Sequence, residues 1–91
     1  MLEIIRSSQF KKDLKKITKQ RKNLSLLDQV VNDLQSKKAL HEKHNDHNLV
    51  GEWRGYKECH INPDWLLIYK IDGSLKLLRL ARTGSHSDLF K

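Results

Sequence analysis

The chain has a single cysteine, a single proline and no apolar run near the roughly 18 residues that would span a bilayer. One cysteine excludes an internal disulfide and suits a reducing compartment. Cys59 falls at an alternating position, on the side of Trp53 and Ile61, so it reads as a small buried residue and not as a nucleophile. The chain contains no internal repeat, no low-complexity tract and no linker. The opening residues MLEIIRSSQFKKDLKK lack the basic start, apolar stretch and small-residue cleavage site of a secretory signal. A cytoplasmic protein without membrane association is therefore expected.

What the chain does contain is a thin supply of core residues and an excess of positive charge. Ninety-one residues, 37% hydrophobic, predict one domain over 1–91, close to the lower size at which a single core suffices. Eighteen Lys and Arg against eleven Asp and Glu give a net charge of +7. That balance favours a phosphate-rich or acidic protein partner, although many basic proteins have neither.

Two halves differ in pattern. Leu2 to Arg6 is β-branched enough for a strand, and Ser7 or Ser8 can cap a following helix. Phe10, Leu14 and Ile17 share one sector of that helix, while Lys11, Lys12, Lys15, Lys16 and Lys19 cover the opposite face, for solvation or for RNA contact. After a break at 21–23, Leu24, Leu27, Val30, Val31 and Leu34 mark a second amphipathic helix running to about Lys37, and the pair should form a helical hairpin. Residues 39–50 carry no period and read as a loop. Beyond them, 53–61, 65–71 and 75–81 read as three strands of an antiparallel meander, with Asn62-Pro63 and the hairpin signal Asp72-Gly73 at the turns. The WLLIY run, apolar on both faces, belongs mid-sheet, and Ser85 can cap a last helical turn through Phe90. The expected fold is α+β, two N-terminal helices packed on a small antiparallel-rich sheet.

Alternation along 53–61 sets Arg54, Tyr56, Glu58 and His60 on one polar face and Trp53, Cys59 and Ile61 on the other. With a turn at 61–63, His60 and Asp64 would lie nearly opposite each other. A meander returns the end of its last strand to the edge where its middle strand begins, so Arg82 and His86 can converge on them. Gly84 between these two permits a sharp turn and a close phosphate approach. His41, His44 and His47 are spaced three apart, but one cysteine and no distant ligand pair fall short of a zinc pattern. His41 and His44 are expected in solvent, and no metal or other cofactor is expected.

Histidines, an arginine and a basic surface fit metal-independent RNA cleavage. A base takes the ribose 2′-OH proton, an acid protonates the leaving 5′-oxygen, and a cation steadies the phosphate. Phe90, Tyr56 or Trp53 can stack on an unpaired base.

The run DHNLVGEWRGYKECHINPDWLLIYKI, followed by LLRLARTGSHSDLF, resembles the YafQ branch of the RelE/ParE superfamily of bacterial toxins. The resemblance covers about residues 46–90 in ordered DH, HxxPDW, LIY and RTGSH elements. It implies a RelE-like fold and a ribosome-dependent messenger-RNA endonuclease of a type II toxin–antitoxin system. His47, His60, Asp64 and His86 would then be catalytic. Arg82 would steady the phosphate, Phe90 would hold substrate, and Arg54 and Glu58 would complete the RNA-binding set, Glu58 standing where relatives often have aspartate. The implied partners are mRNA, the ribosome and a cognate antitoxin with an acidic tail, the toxin being a monomer when free and a hetero-oligomer when neutralised. The same superfamily includes toxins that inhibit DNA gyrase without cutting RNA, and a non-catalytic basic RNA-binding module also fits the charge. The histidine set argues for the nuclease.

Overall fold

A computed structural model describes residues 1–90. Ser7 is extended, and its hydroxyl accepts from the Phe10 amide, which starts α1 (Ser8–Lys19). Phe10 and Ile17 are buried, with Leu14 packed against them. Arg21 turns left-handed at φ 59°, and the Asn23 side chain then caps α2 (Leu24–Gln35). Leu27, Val30, Val31 and Leu34 face inward from α2, as their spacing predicts.

Both helices cover one face of a five-stranded sheet of β1 (Glu3–Arg6), β2 (His47–Asn48), β3 (Lys57–Asn62), β4 (Trp65–Asp72) and β5 (Leu77–Gly84). The order is β1-β5-β4-β3-β2, with β1 parallel to β5 and the other pairings antiparallel. The expected α+β architecture therefore holds, and the WLLIY strand sits at the centre. Trp65, Leu67 and Tyr69 point into the core beneath the helices. Leu66 and Ile68 point the other way, into a smaller cluster with Leu89, Leu49, Trp53, Tyr56 and Ala81.

Four details depart from the sequence reading. Residues 51–53 form a 3-10 turn, and Gly55 takes φ +94°, so β3 starts at Lys57 and not at Trp53. Freed from the strand, Trp53 packs edge-on against Tyr56 on the face opposite Cys59. Asn62 pairs with Trp65, which makes Pro63 and Asp64 the turn and sets His60 across from Leu66, not Asp64. Asp72 pairs with Leu77, so the hairpin is a four-residue loop. The Asp72 carboxylate accepts from the Leu75 amide, and Lys76 supplies the positive φ that a two-residue turn would have taken from Gly73. Finally, the unperiodic 39–50 segment contains a 3-10 turn, Glu42–His44, and the two-residue β2.

β5 carries one irregularity that matters for the site. Ile68 pairs with Arg82 and Tyr69 with Leu80, leaving Ala81 as a bulge. Beyond it, Arg82 and Thr83 meet α1. The buried Asp13 carboxylate accepts from Arg82 Nε and Nη2, both at 3.0 Å, and from the Thr83 amide at 3.2 Å. The Thr83 hydroxyl accepts from Trp65 Nε1 and donates to the Leu66 carbonyl.

Candidate active site

Strand alternation sets Glu58 and His60 on the sheet face away from the helices, and β2 brings His47 directly opposite Glu58. Glu58 is buried, and one of its oxygens lies 3.5 Å from His47 Nε2 and 3.5 Å from His60 Nε2. The Asn45 carbonyl accepts from His47 Nδ1 at 2.7 Å, which fixes the hydrogen on that nitrogen and turns Nε2 toward the carboxylate. His60 is held from behind by its own carbonyl, which accepts from His44 Nδ1 at 2.6 Å. His44 is thus half-buried and built into the site's support, not free in solvent, whereas His41 stays exposed and caps the 3-10 turn.

β2 is held in place by Asp46. Its carboxylate accepts from the Tyr69 hydroxyl and pairs with Lys57 Nζ at 3.0 Å. Burial, reinforced by Asp46, pushes the Tyr69 hydroxyl above its ordinary range, so it remains a donor.

His86 enters from α3 (His86–Leu89), a single turn closed by a capping box. The Ser85 hydroxyl accepts from the Asp88 amide, and the Asp88 carboxylate accepts from the Ser85 amide. Gly84 permits the close approach, since a β-carbon there would lie 3.3 Å from Asp88 Cβ. Lys16 of α1 adds a 2.7 Å ion pair to Asp88. The Lys16 bond, followed by the Ser85 bond, lowers the Asp88 pKa to about 2. The His86 ring then sits edge-on to His60, 5.9 Å between centroids, and 6.1 Å from the Phe90 ring. His47 and His60 are 6.4 Å apart.

Three imidazoles therefore surround one buried carboxylate. Of the other expected site residues, Asp64 is 80% exposed and its carboxylate approaches His86 Nδ1 only to 3.9 Å. Arg82 spends two nitrogens on Asp13, leaving Nη1 outside the pair. Arg54 is exposed beside the 3-10 turn at 51–53, and Phe90 is 42% exposed beside His86. Glu58, expected among the RNA-binding residues, faces imidazoles from a buried position that keeps it off an anionic substrate. Cys59 is fully buried, and burial, with Asp46 and Glu58 adding to it, pushes its thiol up to about 12, which leaves it inert at neutral pH.

Sequence reasoning missed the supports Asp13, Lys16, Asp46 and Asp88. Two left a trace: Asp13 is the one acid of α1 and lies in the sector of Phe10 and Ile17, and Ser85-x-x-Asp88 is a capping-box spacing. Glu58, His60 and His86 also present ligand atoms within 4.8 Å of one another. These donors could hold a divalent cation, which would occupy ring nitrogens that proton transfer requires.

A family model described as "Bacterial toxin of type II toxin-antitoxin system, YafQ" matches residues 2–91. The chain is 40% identical over 88 residues to the "mRNA interferase toxin YafQ" of Escherichia coli K12, covering 92% of this chain and 90% of that protein. A metal-bound toxin from Helicobacter pylori superposes with a TM-score of 0.93 at 44% identity, over 99% of this chain and all of that one. YafQ in the E. coli DinJ-YafQ complex superposes with a TM-score of 0.90 at 39% identity, over the full length of both chains.

Proposed function

This chain belongs to the YafQ family of toxins of bacterial type II toxin–antitoxin systems, and from that premise we propose that it cleaves messenger RNA on the ribosome by acid–base catalysis. One observation carries the chemistry: His47, His60 and His86 converge on a buried Glu58 at one edge of an open sheet face. The likeness to an mRNA interferase at 40% identity supports the same reading.

One imidazole takes the proton from the ribose 2′-OH, and the resulting oxygen attacks the adjacent phosphorus. The bond to the 5′-oxygen breaks, and a second, protonated imidazole supplies that oxygen with its proton. The products are a 2′,3′-cyclic phosphate and a free 5′-hydroxyl. Glu58 fixes the direction of two ring nitrogens, so the groups are in place before substrate arrives. Asp64 orients His86, Arg82 offers Nη1 to the charge on the phosphate, and Phe90 and Arg54 hold neighbouring nucleotides.

Residues 1–91 serve as one toxin domain, a monomer when free. By analogy with the DinJ-YafQ complex, a cognate antitoxin neutralises it, and an acidic antitoxin segment would complement the +7 charge. Such a protein works in the cytoplasm, where its substrate lies. Among the described residues no helix is long and apolar enough to cross a membrane. Mapping transcript ends after brief induction tests the reading. Cuts within coding sequence, bearing 5′-hydroxyls and missing in a folded His86→Ala strain, are expected. Growth arrest with intact transcripts and DNA damage signalling would transfer the protein to the gyrase-directed class.

A further inference from the structure

The sheet face that carries the histidines extends beyond them. Reading back along β3 from His60 and Glu58, the next residue on that face is Tyr56. On β4 the face continues from Leu66 and Ile68 to Lys70, and Arg79 of β5 lies directly beside Lys70. One contact and one burial pattern agree with the placement. Lys70 Nζ lies over the Tyr56 ring, 5.7 Å from its centroid, and the neighbours of Arg79, Leu78 and Leu80, are buried on the helix side.

Three cations on this molecule are already answered by carboxylates. Lys16 is paired with Asp88, Lys57 with Asp46 and Arg82 with Asp13. Among the described residues, neither Lys70 nor Arg79 has a carboxylate within 4.0 Å. Both are half-buried, so their stems lie on the sheet with the charges uncompensated. Tyr56 is four residues from His60, roughly 13 Å along a strand. That is too far to touch the phosphate being cleaved and suits the nucleotides beside it.

We propose that Lys70 and Arg79 form a phosphate-binding track that holds the single-stranded RNA flanking the scissile bond. The occupant follows from charge complementarity and from continuity with the histidine cluster, across the apolar floor of Ile68. The proposal rests on the nuclease reading and adds to it two positioning residues, neither of which reaches the reacting atoms. Such contacts hold the substrate equally in the ground and transition states, so they govern KM and not kcat.

The test is steady-state cleavage of mRNA on programmed ribosomes over a range of salt, with wild type, Lys70→Gln/Arg79→Gln, and the charge-keeping Lys70→Arg/Arg79→Lys. The Gln pair should raise KM roughly tenfold with kcat within about twofold, and flatten the salt slope of log kcat/KM by about 1.4, at ~0.7 per lost contact. The charge-keeping pair should retain the wild-type slope. If the Gln pair fails to fold by thermal melt, Lys70→Gln alone should flatten the slope by about 0.7. Unchanged KM and slope, with His86→Ala still inactive, overturn the track and leave the nuclease standing. A wild-type protein that cuts nothing overturns the nuclease itself. Wild-type cleavage combined with lost antitoxin binding overturns the RNA track in favour of an acidic peptide.

Discussion

Cys59 and Ile61 lie under two helices, while Glu58 and His60, alternating with them along the same strand, line an open polar face. The helix side is a continuous apolar core whose one buried acid, Asp13, is answered by a guanidinium and a backbone amide. The open side has only a small apolar patch, ringed by imidazoles and unpaired cations. A strand can serve both because its side chains alternate, so a one-residue slip would exchange core for catalyst. The bulge at Ala81 is where β5 departs from that rule, and it sends Arg82 and Thr83 to α1.

If the two faces are energetically separate, substitutions on one should leave the other's property intact. The largest effect is expected on the open face. His86→Ala should lower cleavage by about 10²- to 10⁴-fold while urea denaturation shifts by less than about 0.5 kcal/mol, since the ring is largely exposed. On the covered face, Phe10→Ala should cost about 3–5 kcal/mol in the same denaturation measurement. Its cleavage rate per folded molecule should stay near wild type.

Asp13→Ala breaks the separation, because Asp13 belongs to the core and holds a site residue. Leaving Arg82 without its partner should cost about 3 kcal/mol, and cleavage per folded molecule should also fall. An unchanged rate in that variant would show that Arg82 acts without being held by Asp13. The smallest effect belongs to Lys16→Ala, about 0.5 kcal/mol for an exposed pair. Its pH dependence follows from Asp88, whose folded-state pKa is depressed from 3.8 to about 2. The stabilisation is present above pH 4 and is lost as pH falls through about 2, so wild-type and variant stabilities should differ at pH 6 and converge below pH 2.

Much of this was legible from residues alone. The Ser7 cap, the Phe10/Ile17 sector, the α2 stripe, the central WLLIY strand and the Ser85-capped last turn all rest on local spacing, and all stand in the structure. Glu58 and His60 were placed on the correct face, but their partners were not. A two-residue strand such as β2 has no period to read, so His47 came from family resemblance alone. The expected His60–Asp64 pairing failed because Pro63 and Asp64 themselves make the turn. Trp53 changed faces because the chain turns at 51–55 before β3 begins. Arg82 was read as a free cation because its partner Asp13 lies 69 residues away, beyond any local pattern.

That separation has a consequence for how the protein comes into being. Asp13 and Lys16 are made about 70 residues before the groups they grip, at 82, 83 and 88. His86 cannot be seated until those late residues have cleared the exit tunnel and met the first helix. The site therefore lacks one of its three imidazoles until segments about 70 residues apart in the chain have paired.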